Sequence, residues 1–254
     1  MLKKFKIAWS IKIIATAVMV FSLIAFVNTE YEGEVCIDVL VNMENQLDNY
    51  YIDEADVMAL ISNNGQDIVL GQSFKDIQLK RVETNLKQSP YIRDAEVFKD
   101  LKGNMLVKTI LRRPVARIVS EKKDDAYITE EGILMPVSDK FTSRVVLLSG
   151  KRVESMMDTV TSINEIAPEL FELINYINAH KFWKAQIAQV HVKKDGQIIL
   201  YPQVTKQYVE FGFADNIDSK FNRLRLFYKE ILPYKGWNHY ERVNLKYKDQ
   251  IIAE

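Results

Sequence analysis

The chain of 254 residues contains one cysteine, Cys36, so no intrachain disulfide can brace it and its stability has to come from packed cores. It also lacks net charge, because 34 basic residues balance 34 acidic ones. The two signs are interspersed. The tightest basic groups, Arg112-Arg113 and Lys122-Lys123, are short and run into proline or aspartate, so no stripe for nucleic acid is present. The three histidines, His180, His191 and His239, stand at no metal-ligand spacing, and neither His-Glu-x-x-His nor Gly-x-Ser-x-Gly occurs. Carboxylate pairs do occur, at Asp124-Asp125 and Glu130-Glu131. Adjacent residues of a strand point to opposite faces, however, and in loops such pairs are solvated, so acid/base work on a sugar has no geometry here. These absences predict no catalytic residue, metal ligand or cofactor. Repeats and low-complexity tracts are missing too, which leaves periodicity and breakers to organise the chain.

One long apolar run is present. It extends from Ile7 to Val27, behind Lys3, Lys4 and Lys6 and ahead of Glu30, Glu32 and Glu34. About 21 residues at ~1.5 Å each span roughly the ~30 Å of bilayer hydrocarbon. Lys12, next to Ile13, is its single charge and lies near the basic end, where it can snorkel to the headgroups. A cleaved signal peptide is the competing reading, but Ala25-Phe26-Val27-Asn28-Thr29 is a poor small-residue cleavage site. The expectation is a membrane anchor: residues 1–6 in the cytoplasm, 7–27 as a single transmembrane helix, and about 225 residues on the far side of the membrane.

The first stretch beyond the anchor reads as a compact α+β module, residues 33–113. Val35 to Leu40 is a β-branched run in which Cys36 is a small packed residue. Asp53 can cap a helix with Asp56 at its third position, Ile52 can staple onto Val57, and Gly65 is predicted to end it. A second helix is predicted after Ser73, with Leu79, Val82 and Leu86 on one face and a stop before Ser89-Pro90. Strands over Ala95 to Lys99 and Met105 to Arg112 flank Leu101-Lys102-Gly103-Asn104, a hairpin turn. The order is β-α-α-β-β, with both helices free to cover one face of the sheet.

This order, behind an anchor, is similar to the POTRA domain of the FtsQ/DivIB family of bacterial cell-division proteins. The resemblance continues downstream. Arg113-Pro114-Val115-Ala116 resembles the family's Arg-x-Pro-x-Ala signature, and Ala126-Tyr127-Ile128-Thr129-Glu130-Glu131-Gly132 resembles its Tyr-Leu-Ile-Asp-x-x-Gly segment, with Thr129 where the family has aspartate. Leu147-Leu148-Ser149-Gly150 matches its Leu-Leu-Ser-Gly turn, and Arg242-Val243-Asn244-Leu245-Lys246-Tyr247 resembles its closing Val-Asp-Leu-Arg-Tyr strand, with Asn244 and Lys246 as the departures. Val153 to Trp183, rich in helix formers, is matched by no motif. Pro168 fits a first-turn position there, with Leu170, Leu173, Ile174 and Ile177 as an apolar stripe.

The second segment, residues 114–254, reads independently as a mostly β domain with helices. Ile187 to Val192 and Gln197 to Tyr201 bracket the turn Lys193-Lys194-Asp195-Gly196, and Tyr208 to Phe213 continues as a strand. Asp215 can cap a helix from Ile217 that carries Phe221, Leu224, Tyr228 and Ile231 on one face and ends at Pro233. A final hairpin fits Val243 to Tyr247 and Gln250 to Ile252 around Lys248-Asp249. A strand last in its sheet can accept a strand from a partner. The resemblance implies that the matching residues, Val243, Leu245, Tyr247, Lys248, Gln250, Ile251 and Ile252, bind an FtsB/DivIC-like protein that arrives with an FtsL-like protein as a coiled coil. The bland reading of the same residues is that Ile251 and Ile252 pack into the core or that the tail frays. The resemblance further implies a non-catalytic scaffold among other divisome proteins in the inner membrane at the septum. A different use of the first module, as a POTRA-type chaperone for envelope clients, would need a partner strand of another kind; no β-barrel pattern follows it here.

Overall fold

The computed structural model describes residues 12–23, 35–46, 49–158 and 162–254. Residues 12–23 form helix α1, exposed along its length. Among the described residues no helix is long and apolar enough to cross a membrane. Of the four anchor residues, Lys12 and Ile13 open α1, whereas Ile7 and Val27 lie outside the described residues. The rest divides into two compact units, one drawn from residues up to 44 together with 53–110, the other from 45–52 together with 111–254. Segment 45–52, inside the first domain on the sequence reading, thus belongs to the second unit. There the Tyr51 ring packs 5.4 Å from those of Tyr127 and Phe141.

The first unit is a three-stranded sheet in the order β1-β3-β2, comprising β1 (Val39–Glu44), β2 (Ile92–Lys99) and β3 (Met105–Leu111), with helices α2 (Glu54–Ile61) and α3 (Leu79–Lys87). β1 lies parallel to β3, with Val39 opposite Met105. It starts later than the β-branched run predicts, because Cys36 hydrogen-bonds instead to the 71–72 turn, donating to the Gln72 carbonyl at 2.9 Å and accepting from Gly71 at 2.7 Å. Its side chain is fully buried, as a small packed residue should be. The capping box on α2 forms as predicted: Asp53 accepts from the Asp56 N–H at 3.0 Å and donates its own N–H to the Asp56 carboxylate at 2.8 Å. The helix ends at Ile61 rather than near Gly65, since Asn63 and Asn64 adopt left-handed φ of 48° and 56° first. α3 starts at Leu79, after a separate turn on the Ser73 carbonyl, and stops before Ser89-Pro90 as read. Val57, Ile61, Val82, Leu86, Ile92, Ala95, Met105 and Val107 are its buried apolar residues.

The second unit is built on a nine-stranded sheet in the order β12-β11-β10-β9-β8-β7-β4-β5-β6. Its strands are β4 (Pro114–Ile118), β5 (Ala126–Thr129), β6 (Leu134–Pro136), β7 (Val146–Ser149), β8 (Ile187–Val192), β9 (Ile198–Pro202), β10 (Tyr208–Gly212), β11 (Arg242–Asn244) and β12 (Ile252–Ala253). β7 runs parallel to both β4 and β8 at the centre, and β11 runs parallel to β10. Every other pairing is antiparallel. The quoted motifs fall on these strands. Thr129 takes the job an aspartate would do at its turn, its hydroxyl accepting the Ile133 N–H at 3.3 Å.

Helices α4 (Lys151–Met156), α5 (Ile163–Ile166), α6 (Pro168–Ala179) and α7 (Lys181–Gln186) fill the stretch that no motif covers. α6 has Pro168 in its first turn and buries Leu170, Leu173, Ile174 and Ile177, the predicted stripe. Two expectations about the next helix, α8 (Ile217–Leu226), fail. Its N-cap is Asn216 at φ 48°, not Asp215. Asp215 is instead the ion partner of Lys220, whose ammonium is buried and also donates to the Phe213 carbonyl at 2.9 Å; a buried ammonium needs a counter-charge more than a helix end needs a cap. Nor does Pro233 end the helix. A π-turn (Phe227–Ile231) links α8 to α9 (Leu232–Lys235), Pro233 occupies the first turn of α9, and Gly236 at φ 100° stops it. The π-turn shifts the phase, so the buried stripe runs through Phe221, Leu224, Tyr228 and Leu232 and leaves Ile231 exposed.

Candidate docking edge

The predicted terminal hairpin exists with shorter strands: β11 pairs antiparallel with β12, Val243 opposite Ala253 and Asn244 opposite Ile252, and residues 245–251 make the connection. Its alternation decides which main-chain groups reach solvent. Arg242 and Glu254 exchange both N–H···O bonds at 3.0 Å. In an antiparallel ladder such a pair is followed by one whose groups point away, so the N–H and C=O of Ala253 face outward from β11. β12 is last in the sheet order, with no strand beyond it among the described residues. It is an open edge.

The hairpin is held from below by Arg223 of α8. One guanidinium nitrogen donates to the carbonyls of Tyr247 at 2.5 Å and Gln250 at 2.6 Å, and the other donates to that of Leu245 at 3.1 Å. A planar fork reaches the three carbonyls of one turn from two separate nitrogens, whereas an ammonium carries all its donors on one. A second brace comes from Glu210 of β10. Its carboxylate meets the Lys246 ammonium at 2.8 Å and accepts from the Asn244 amide at 3.1 Å, while its carbonyl accepts the Leu245 N–H at 3.0 Å. Asn244 returns a bond to the Lys246 N–H at 2.9 Å. An aspartate at 244 would set a second carboxylate against Glu210, so the amide there suits this neighbour.

The Lys246 hydrogen bond, reinforced by the Lys246 and Arg242 charges, holds the Glu210 carboxyl below the usual carboxylate range. A folded-state pKa below the unfolded value adds stability that is present above about pH 4.3 and is lost as pH falls from there towards the folded value. The gap in urea midpoint between the wild type and Glu210→Gln is therefore expected to be widest at pH 6–7 and to narrow as pH falls below about 4.3. A gap independent of pH would show that the carboxylate charge does not support the hairpin.

The predicted site residues separate into two sets. Val243 and Leu245 are fully buried and serve the core. Tyr247, Lys248, Gln250 and Ile252 are exposed, Tyr247 at 50% and Ile252 at 37%, while Ile251 is half-buried against the core. Arg223 and Glu210 were invisible to sequence reading. Arg223 belongs to an ordinary basic helix face, and the one available signal for Glu210 was an acid inside the apolar strand Tyr208–Gly212. Of the aromatics, Trp183 and Phe211 are buried, whereas Tyr201 and Trp237 are partly exposed.

Ser149 and His191 form a nucleophile–base contact. Ser149 Oγ lies 2.9 Å from His191 Nδ1 and accepts from the Gln189 amide at 2.7 Å. No carboxylate bonds the second His191 nitrogen among the described residues, so the base has no orienting group. Among the same residues no cluster of three or more His, Cys, Asp or Glu side chains could hold a metal.

A family profile described as "FtsQ/DivIB, C-terminal related" matches residues 113–254, more than half of the chain and the whole length of the nine-stranded sheet. The chain belongs to the FtsQ/DivIB family. A second profile, for a POTRA-like domain, matches residues 34–109, which hold the three-stranded sheet and its two helices. No individual curated protein matched. FtsQ/DivIB membership makes this a cell-division protein with divisome proteins as its partners, in a family without enzymatic activity.

Proposed function

We propose that this FtsQ/DivIB protein is a bitopic, non-catalytic scaffold that recruits septal wall-synthesis regulators and presents the β12 edge to a strand of an FtsB/DivIC-like protein, itself carried in a coiled coil with an FtsL-like protein. The observation that carries the reading is the pairing of an open edge, with the main chain of Ala253 turned outward, and an Arg223 clamp beneath it. Main-chain bonds to an added strand supply affinity, and the exposed side chains of Tyr247 and Ile252 supply selectivity. Residues 7–27 anchor the chain in the cytoplasmic membrane, and both units lie outside it at the septum. The POTRA-like unit offers a further docking surface.

The test compares the full chain in nanodiscs with a version ending at Tyr247 and with Ile251→Pro, each titrated with the extracytoplasmic part of the FtsB/FtsL-like pair from the same organism. Ile251 lies just before β12 and outside its ladder with β11, so proline there breaks no β11–β12 bond yet removes a main-chain donor at the entry to the edge; affinity is expected to fall at least tenfold with the melting temperature nearly kept. The truncated chain, which lacks β12, is expected not to bind. Unchanged affinity in a folded Ile251→Pro chain would sink the edge as the site. If even the wild type fails to bind, the partner is wrong, and a chaperone-like use of the POTRA unit gains.

A further inference from the structure

α8 presents a second surface. Arg223 turns to the β11–β12 hairpin, and Arg225, two residues on and so about 200° round the helix, turns the other way, its guanidinium 6.0 Å from the Trp183 ring. With Phe182, Tyr228, Lys229 and Trp237 it lines a groove of about 470 Å³. Phe182 and Trp237 are 47% and 45% exposed, at odds with their apolar bulk, while Tyr228 forms the buried floor, its ring 6.0 Å from that of Trp237. Tyr228 and Lys229 belong to the π-turn, an irregularity that recurs at functional sites.

We propose that this groove docks an acidic segment of a partner protein, which seats one large apolar side chain between Phe182 and Trp237 and sets carboxylates against Arg225 and Lys229. Charge favours this occupant, because Arg225 and Lys229 are the charged residues of the lining and no carboxylate lines the groove; the exposed pair of Lys229 with Glu230, at 3.4 Å, is one that an incoming carboxylate can replace. Shape selects a side chain over a lipid surface, since a concavity of this volume encloses an inserted residue whereas a bilayer meets protruding aromatics. Trp, Tyr and Arg together are also the residue types that concentrate binding energy at protein interfaces. The groove lies on the side of α8 away from the β12 edge, so its occupant is distinct from a strand added there.

The test selects a phage-displayed library of random 12-residue peptides against the full chain in phosphatidylcholine nanodiscs, with the Trp237→Ala chain for counterselection. Enriched peptides are expected to carry Leu, Phe or Trp beside Asp or Glu. They are expected to bind at least tenfold more weakly to Trp237→Ala and to the Arg225→Glu/Lys229→Glu double variant, and to bind Ile251→Pro unchanged. Phe182→Ala serves as a second groove variant should Trp237→Ala misfold. The proposal is overturned if no peptide survives counterselection, if the enriched peptides are neutral or basic, or if Ile251→Pro abolishes their binding. It is also overturned if nanodiscs containing phosphatidylglycerol shield Trp237 from acrylamide quenching, measured as the difference from Trp237→Phe, because the occupant would then be an anionic lipid surface.

Discussion

Gly150→Ala is expected to destabilise the second unit severely. Gly150 sits between β7 and α4 at φ 109° and ψ 151°, a region open essentially to glycine alone, where another residue costs about 1–3 kcal/mol in strain. Space makes it worse. A Cβ at 150 would fall 2.1 Å from the Val192 carbonyl oxygen, a backbone atom of β8, so either the β7–α4 turn or a central strand must move. Strain and displacement together predict a loss of at least ~4 kcal/mol, about half of the stability of a typical domain. The measurement is thermal unfolding, with a fall of roughly 8–16 °C for a unit of this size, or accumulation as insoluble protein. Gly65→Ala is the control. Its φ is 83° but nothing lies within 4 Å of the added Cβ, so it should cost only about 1 kcal/mol. A Gly150→Ala chain that melts with the control would mean that the turn relaxes freely.

Arg223→Ala is expected to spare the fold and silence the proposed docking edge. The three carbonyls that Arg223 bridges all belong to the connection between β11 and β12, and without it that connection keeps only the Glu210 and Asn244 bonds on its β11 side. Charge-assisted bonds of this kind are worth about 1.5–3 kcal/mol each when well shielded, and less here because the guanidinium is partly exposed. The loss falls on preorganisation: a partner would then have to order the hairpin as it binds, and affinity should drop about a hundredfold, or ~2.7 kcal/mol. The melting temperature should fall by only a few degrees. Arg223→Lys should not rescue binding, since a single ammonium nitrogen cannot stand at both positions from which the two guanidinium nitrogens donate. Retained affinity in Arg223→Ala, or full rescue by lysine, would show that the clamp does not prepare the edge.

What sequence could and could not reveal divides along the range of the interactions. The Asp53/Asp56 capping box, the stop before Pro90, the α6 stripe and the Lys193–Gly196 turn are all set within a few residues, and all are present. The parallel run of β4, β7 and β8 was not legible, because it joins strands separated by two or more other elements and leaves no local period. The edge itself was readable as a closing hairpin, but its length was overestimated. Leu245 leaves the β11–β12 ladder, its N–H going to Glu210 and its carbonyl to Arg223, and both strands stop early. Asp215 shows the commonest failure: its position before Ile217 signals a cap, and only the fold reveals a buried ammonium five residues on that claims it first.

The parallel pairing of β10 with β11 carries a consequence for assembly. β11 can reach β10 only across the long crossover of α8, the π-turn and α9, and β11 is the strand that pairs with β12 among the described residues. The edge therefore comes into being after that crossover has packed, and a copy whose crossover is still loose has no strand to offer. On the proposed reading, engagement at the septum doubles as inspection: a partner that binds by adding a strand accepts finished molecules and passes over unfinished ones, with no separate checkpoint to do the sorting.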